Sequence, residues 1–195
     1  QAKRYINVAL QDMHLGQEYK FPWAERTAIL LTHARYTTGT VTITQGSTSL
    51  AGASTAWNTA TVFGWNNMRT TGKVTIAGRL EPYRVTTVTS DTAATLENRF
   101  VGSDVSAGSY VYYEDEYDLA TDFLRPVDQS SFDLNQEIAL LPRGEFYRRY
   151  PRNTVSGKPV AAMILDRVPS GNVTPIRRII LAPALLLLSV WRRPA

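Results

Sequence analysis

The chain has 195 residues, of which 44% are hydrophobic and 19% are charged, and it contains no cysteine. This length predicts one or two domains, each able to bury a sizeable core without a disulfide or metal. The absence of cysteine excludes disulfides, zinc–thiolate sites, iron–sulfur clusters and a cysteine nucleophile, while the net charge of +4 favours an acidic partner.

The start of the chain shows helical periodicity. Apolar residues recur at spacings of three and four between Ile6 and Met13, as on one face of an amphipathic helix. Pro22 is typical of the first turn of a second helix, where its missing N–H needs no partner. The sequence therefore predicts helices at 3–18 and 22–34.

Residues 37–118 favour β structure. Seventeen threonines lie between Thr37 and Thr95, and threonine alternates with valine and isoleucine at 40–44. Glycine or aspartate turns separate the runs, which is typical of a small antiparallel barrel or sandwich. The predicted elements are a hairpin at 40–51 and strands at 73–76, 83–88, 94–97 and 109–113.

The last third of the chain is mixed. A helical turn is predicted just before Pro151, and apolar runs predict strands at 160–165, 176–181 and 185–191. The longest apolar run, 179–191, has 13 residues and contains a proline, which is too short and too interrupted for a membrane span. We therefore expect no membrane partner.

Catalytic and cofactor motifs are not recognisable in the sequence. The two histidines, His14 and His33, do not form a metal-binding pair, so packing or surface roles are favoured. No nucleotide-binding glycine loop or hydrolase elbow occurs. We predict no enzyme activity, catalytic residue, metal or cofactor.

One stretch is densely acidic. The favoured interpretation is a solvated face, since consecutive carboxylates on a strand point to opposite sides. The alternatives are paired carboxylates for glycoside hydrolysis, a calcium site, or an acidic interface that meets a basic neighbour. The residues are Glu114, Asp115, Glu116, Asp118 and Asp122.

The basic charge is concentrated at 143–195, with ten Lys or Arg residues against two acidic ones. Nine of the ten are arginine, which favours bidentate pairing with carboxylates at a protein interface over direct nucleic-acid binding. The predicted portal or subunit interface comprises Arg148, Arg149, Arg152, Arg177, Arg178, Trp191, Arg192 and Arg193.

Aromatic residues of the β segment have two interpretations. Trp57, Phe63, Trp65 and Tyr83 could form a sugar-binding platform, although core positions are the more frequent role at such spacing. A carbohydrate- or protein-binding β module of a phage tail or fibre protein is therefore the alternative function.

The order of several motifs resembles the head-to-tail adaptor (connector) proteins of tailed bacteriophages. One such motif is Tyr-Val-Tyr-Tyr-Glu-Asp-Glu-Tyr-Asp-Leu at 110–119. The family often continues with Leu-Pro-x-Asp-Phe, and here Leu119-Ala120-Thr121-Asp122-Phe123 departs at the proline. The other similar segments lie at 6–13, 21–23, 32–36, 39–44, 46–48, 54–57, 83–88, 95–96 and 179–194.

The resemblance implies an α+β fold, with a helical core, an inserted antiparallel barrel- or sandwich-like domain and an extended C-terminal segment. Residues 1–36 plus 119–195 would form a helical ring core with a docking segment, and 37–118 the insertion. It also implies a structural virion protein of the neck or tail, assembled in the host cytoplasm. Its copies would form a ring, expected to be a dodecamer, beneath the portal protein. The ring would hold tail, nozzle or fibre proteins and pass viral DNA through its channel without specific binding.

Overall fold

The computed structural model describes residues 30–70, 72–120, 123, 126, 130–133, 136–151, 159–170 and 173–182. This part of the chain is mostly β structure, in two sheets with one short helix. The first sheet contains β1 (Thr40–Ile43), β2 (Ser49–Ala53), β3 (Lys73–Ile76), β4 (Tyr83–Ser90), β5 (Ala93–Leu96), β6 (Val105–Gly108) and β7 (Tyr110–Tyr113). The remaining elements are β8 (Glu116–Asp118), β9 (Ser130–Asp133), β10 (Gln136–Leu140), α1 (Arg143–Arg149), β11 (Ala161–Ser170) and β12 (Val173–Ala182).

The first sheet is antiparallel and curled. Its strand order is β6-β1-β2-β5-β4-β3-β7, so β6 and β7 are the two outermost strands. Along the chain, however, only Ser109 separates them, which brings the two edges of the sheet together. The Ala77 amide donates to the Ser109 carbonyl at 2.7 Å, and Tyr36 bridges to Tyr112 beside β7.

Alternation of side chains explains the core of this sheet. Val41 and Ile43 on β1 are buried, while Thr42 between them is exposed, as the two-residue period of a strand requires. The same inward positions on the other strands, with buried residues of the connections, complete one cluster. Its buried members are Val41, Ile43, Leu50, Trp57, Met68, Val74, Ile76, Tyr83, Val85, Ala94, Leu96, Phe100, Tyr110 and Tyr112.

The second sheet is mixed, with the order β8-β12-β11-β10-β9. β10 pairs with β11 in parallel, and the other neighbours are antiparallel. One face carries a cluster of Tyr117, Ile138, Ala162 and Leu181, and a second cluster forms where Phe146 of α1 packs with Met163, Ile180 and Ala182.

The predicted helical core is wrong for the described residues. α1 is the one helix among them, and 30–34, the end of the second predicted helix, are not helical. Apart from α1, the described elements between 116 and 182 are strands, because the apolar runs at 161–165 and 179–182 form adjacent strands of the sheet and pack into two separate apolar clusters. The helix predicted at 3–18, the strand at 185–191 and the C-terminal segment beyond 182 lie outside the described residues.

Individual strands were predicted better than the architecture. β1 to β5, β7, β11 and β12 confirm strands predicted from periodicity, and α1 confirms the helical turn before Pro151. Four strands, β6, β8, β9 and β10, were not predicted. They are short, and β6 contains Ser106, Ala107 and Gly108, which carry no apolar alternation.

Candidate functional site

The chain passes from the first sheet to the second through three consecutive acidic residues. β7 ends at Tyr113 and β8 begins at Glu116, so only Glu114 and Asp115 lie between the sheets. The Leu181 amide of β12 donates to the Asp115 carbonyl at 3.0 Å, which continues the pairing of β8 backwards. These carboxylates are therefore held at the point where the two sheets meet.

Three basic residues of the first sheet and its connections bind these carboxylates. Lys73 Nζ lies 2.8 Å from Asp115 Oδ2 and 3.0 Å from Glu116 Oε1. Arg84 Nη2 lies 2.6 Å from Glu116 Oε2. The Arg69 guanidinium binds both oxygens of Glu114. We call Arg69, Lys73, Arg84, Glu114, Asp115 and Glu116 the junction cluster.

The junction cluster is largely removed from water. Glu114 and Asp115 are 1% and 4% exposed, so the predicted solvated face is wrong for these two residues. Isolated charges at such depth are strongly unfavourable unless they are paired. The pairing with cations is what allows Glu114 and Asp115 to be buried here, beside the partly buried Glu116.

Desolvation and pairing act in opposite directions on Asp115 and Lys73. Burial raises the pKa of Asp115 above its ordinary value of 3.8, and the nearby Lys73 ammonium only partly offsets this effect. Burial alone would lower the pKa of Lys73, but the charges of Asp115 and Glu116 raise it above 10.5. Asp115 is the more deeply buried partner, and its Oδ1 has no hydrogen-bond partner among the described residues.

Tyr112 and His33 form a second layer around the cluster. The Tyr112 hydroxyl donates to Glu114 Oε1 at 2.5 Å and accepts the Arg69 amide at 2.9 Å. The ring of Tyr112 packs beneath Gly72, where a Cβ atom would lie 2.2 Å from it. The His33 amide donates to the Tyr117 hydroxyl at 3.1 Å, which links the segment before β1 to β8.

The burial of Trp57 and Tyr83 agrees with core positions, the favoured interpretation of these aromatic residues, and not with the alternative of a sugar-binding platform. Trp57 is completely buried and donates its indole N–H to the Tyr110 hydroxyl at 2.8 Å, so it is a core residue. Tyr83 is also buried. Trp65 stacks on Phe63 with ring centroids 5.4 Å apart, and the Arg69 guanidinium lies 5.2 Å from its ring centre.

The connection between β2 and β3 ends in an apolar tip, which we define as Val62 and Phe63. Val62 is 95% exposed and Phe63 49% exposed. An isolated β-bridge between Ala60 and Asn66 makes the tip a small hairpin. The His33 ring nitrogen Nε2 lies 2.9 Å from the Asn66 carbonyl oxygen. His33 thus contacts both the hairpin that carries the tip and Tyr117 of β8, next to the junction cluster.

Four members of the predicted basic interface lie within the described residues. Arg148 and Arg149 are exposed on α1, where Arg149 pairs with Glu145 at 2.5 Å. Arg177 and Arg178 belong to β12, and the backbone of Arg178 lies opposite Asp118 of β8. The other predicted members, Arg152, Trp191, Arg192, Arg193 and Asp122, lie outside the described residues. The interface assignments remain predictions.

Sequence reasoning missed the three cations of the junction cluster. Lys73 and Arg84 each stand beside apolar residues on strands and are directly opposite in the β3–β4 register. A single charge in an otherwise uncharged strand, between buried neighbours, indicates a partner for that charge, and this was the available signal. The partner could not be chosen, because Lys73 lies 42 residues before Asp115 in the chain.

Comparisons with protein-family models, curated proteins and solved structures found no match. Over the described ranges, no helix has the length and apolar character needed to cross a membrane. The same residues contain no group of three or more histidine, cysteine, aspartate or glutamate side chains suited to a metal ion.

Proposed function

We propose that the chain is a structural virion protein, a head-to-tail adaptor subunit of a tailed bacteriophage without enzymatic activity. The observation that carries the proposal is the position of segment 110–119, one of the motifs of the resemblance. This segment forms β7 and β8 and crosses between the two sheets with the buried carboxylates of the junction cluster.

Rigidity supports a structural role for this segment. A polar network whose members are paired and buried fixes one geometry between the elements that it joins. Three cations contact three consecutive carboxylates, and Tyr112 adds a further hydrogen bond. A subunit that must transmit contacts between neighbours needs such a fixed junction.

The corrected architecture changes which segments support the resemblance. A helical core was implied for 119–195, and the described part of that range contains strands. The proposal therefore depends on the motifs of the β segment, at 39–44, 46–48, 54–57, 83–88, 95–96 and 110–119. In this proposal copies of the chain form a ring beneath the portal protein, around a channel for viral DNA, and contact tail, nozzle or fibre proteins.

Negative-stain electron microscopy of the full chain, alone and mixed with portal rings of the same phage, tests the proposal. We expect ring-shaped assemblies seated on one end of the portal. Glu114→Gln is expected to reduce the fraction of decorated portal rings, whereas Glu97→Gln, at an exposed glutamate of the first sheet's connections, serves as the surface control. A chain that leaves portal rings undecorated at every ratio would contradict the adaptor function.

The carbohydrate alternative is not retained, because Trp57 is enclosed in the core. The exposed apolar tip favours the protein-binding form of that alternative, since apolar side chains with a hydrogen-bonding rim are typical of protein interfaces.

A further inference from the structure

Lys73 and Asp115 bring an amine and a carboxyl group into direct contact inside the fold. Lys73 Nζ lies 2.8 Å from Asp115 Oδ2 and 3.0 Å from Glu116 Oε1. The contact therefore combines a nitrogen nucleophile, the acyl carbon Cγ of Asp115 and a second carboxylate that can carry a proton. These are the three groups that amide formation between two side chains requires.

Backbone pairing fixes both partners of this contact. β3 lies between β4 and β7, and its residue Lys73 is in register with Arg84 on one side and with Tyr113 on the other. Asp115 follows two residues after Tyr113, and its carbonyl accepts the Leu181 amide of β12 at 3.0 Å. Reacting groups that are held at contact distance behave as if they were at very high concentration. Folding has therefore already brought the amine and the carboxyl group together.

The contact is largely removed from water. The side chain of Asp115 is 5% exposed and that of Lys73 is 21% exposed. Asp115 Oδ1 has no hydrogen-bond partner among the described residues, so the ion pair with Lys73 leaves one oxygen of the buried carboxylate unsatisfied. An amide carries no charge, so its formation removes two largely buried charges together with their desolvation cost.

The charged groups around the contact determine how a neutral amine can arise. Burial raises the pKa of Asp115, which favours its protonated form. Burial acts to lower the pKa of Lys73, but the charges of Asp115 and Glu116 raise it above its ordinary value, which disfavours release of the proton to water. The amine therefore becomes neutral by passing its proton directly to Asp115. Arg84 Nη2 lies 2.6 Å from Glu116 Oε2 and holds the second carboxylate in place.

We propose that Lys73 and Asp115 react to form an intramolecular amide (isopeptide) bond between Nζ and Cγ. A proton passes from Nζ to Oδ2, which gives a neutral amine and a carboxylic acid. The nitrogen lone pair then attacks Cγ, and an electron pair of the carbonyl moves onto its oxygen. Nζ gives a second proton to Glu116, which passes it to the hydroxyl group, and this group leaves as water with the electron pair of the C–O bond. The carbonyl forms again, one proton remains on the amide nitrogen, and Glu116 is regenerated as a carboxylate.

The amide bond closes a loop between β3 and the segment that enters the second sheet, across a separation of 42 residues. A covalent loop of this kind reduces the freedom of the unfolded chain and so stabilises the fold. The ion pair and the titration of Asp115 belong to the chain before the bond forms, and both disappear with bond formation. The inference concerns a single chain, so it does not depend on the proposed function.

Intact mass spectrometry of the denatured full chain tests for the bond. We expect a wild-type mass that is lower than the sequence mass by one water molecule, and a tryptic product in which Lys73 and Asp115 are linked. Lys73→Arg keeps the positive charge but lacks the amine nucleophile, so it should have its full sequence mass. The control is Glu97→Gln, at an exposed glutamate after β5, which should lose water as the wild type does.

Glu116→Gln tests the proton carrier. Glutamine has nearly the same size but cannot accept the second proton, so the bond should form at least about a hundredfold more slowly. The linked fraction, followed by mass over time after cell-free synthesis, measures this rate. A Glu116→Gln chain that becomes linked as fast as the wild type would show that Glu116 is not the proton carrier.

Two results from the wild-type chain would overturn the inference. One is a folded chain, as shown by circular dichroism, that keeps its full sequence mass. The other is a loss of water without a peptide that links Lys73 to Asp115, because another site would then be responsible. Neither result depends on whether a variant folds.

Discussion

Arg69 holds the buried carboxylate of Glu114 with two guanidinium nitrogens, although 45 residues separate the two along the chain. Its Nε lies 2.8 Å from Oε1, and the Tyr112 hydroxyl is a further donor to the same oxygen. A bidentate contact of this kind is directional as well as strong. It fastens the loop before β3 to the segment that enters the second sheet.

Substitution of Glu114 by glutamine should destabilise the fold substantially. Glutamine keeps the shape but removes the negative charge, so the partly buried Arg69 loses its counter-ion. We expect a loss of about 3 kcal/mol in the free energy of unfolding, measured by urea denaturation, since Arg69 remains 32% exposed and keeps some hydration. Glu145→Gln removes a matched glutamate from the exposed pair with Arg149, and should change stability by about 0.5 kcal/mol or less.

Equal effects of the two substitutions would contradict a specific role for the junction cluster. In that case the buried position of Glu114 would add nothing beyond an ordinary surface ion pair.

The close approach of Gly72 to Tyr112 makes a second prediction. In Gly72→Ala the new Cβ atom would lie 2.2 Å from the Tyr112 ring and 2.2 Å from its hydroxyl oxygen. Because the ring is fixed by Glu114 and Arg69, it cannot move aside without breaking those hydrogen bonds. We expect Gly72→Ala to cost about 3 kcal/mol in the free energy of unfolding, or to prevent folding.

A glycine in the helix provides the control for this substitution. A Cβ atom at Gly144, in the first turn of α1, meets nothing within 4 Å. Gly144→Ala should therefore be neutral or stabilise the protein by up to about 1 kcal/mol, because alanine favours the helix. If thermal unfolding shows the two alanine variants to be equally stable, the packing of Tyr112 under Gly72 is wrong.

Local patterns predicted elements better than the resemblance predicted their assembly. Val41 and Ile43 alternate with threonines, and this period of two identifies β1 without any tertiary information. The helical core was carried over from a family, and the apolar runs at 161–165 and 179–182 instead form paired strands. The sequence predicts strands in these two runs, so the helical core conflicts with the local pattern and rests on the resemblance alone.

The candidate site shows the same limit. The acidic run was visible in the sequence, whereas its burial depends on cations 32 to 45 residues away that only the folded sheets bring near. The burial of Trp57 likewise cannot be read from its spacing in the sequence. Its indole N–H donates to the Tyr110 hydroxyl, which the folded core brings close to it. The burial of the acidic run and of Trp57 therefore depends on contacts between distant segments rather than on local propensity.

The raised pKa of Asp115 predicts a specific pH dependence of stability. In the folded chain its carboxyl keeps a proton at pH values where the unfolded chain releases it, because burial disfavours the charge. This contribution to stability is complete below about pH 3.8 and is lost as the pH rises through the raised pKa. Asp115→Asn lacks this loss, so its stability relative to the wild type should increase from about pH 3 to about pH 7.

Urea denaturation of both proteins across this pH range measures the difference between their free energies of unfolding. The titration of the other carboxyls contributes almost equally to both proteins and largely cancels in that difference. If the stability of the wild type instead increases relative to that of Asp115→Asn as the pH rises, attraction to Lys73 outweighs desolvation at this position.

Tyr110 predicts a second loss of stability, at alkaline pH. Burial raises the pKa of its hydroxyl to about 12, although the hydrogen bond from the Trp57 indole N–H acts in the opposite direction. The folded chain therefore keeps Tyr110 neutral where the unfolded chain ionises it, and stability falls as the pH rises from about 10 to about 12. Tyr110→Phe should show a shallower fall in this window, measured by urea midpoints alongside tyrosinate absorbance.

The same variant has a separate effect at neutral pH. Loss of the Tyr110 hydroxyl leaves the buried Trp57 N–H and the Thr38 carbonyl without their partners at 2.8 Å and 2.7 Å. An unsatisfied buried polar group costs about 1–3 kcal/mol, so Tyr110→Phe should be less stable by that amount. Tyr147→Phe, at an exposed tyrosine of α1, should stay within about 0.5 kcal/mol of the wild type. A Tyr110→Phe protein as stable as that control would mean that Trp57 and Tyr110 do not meet in the core.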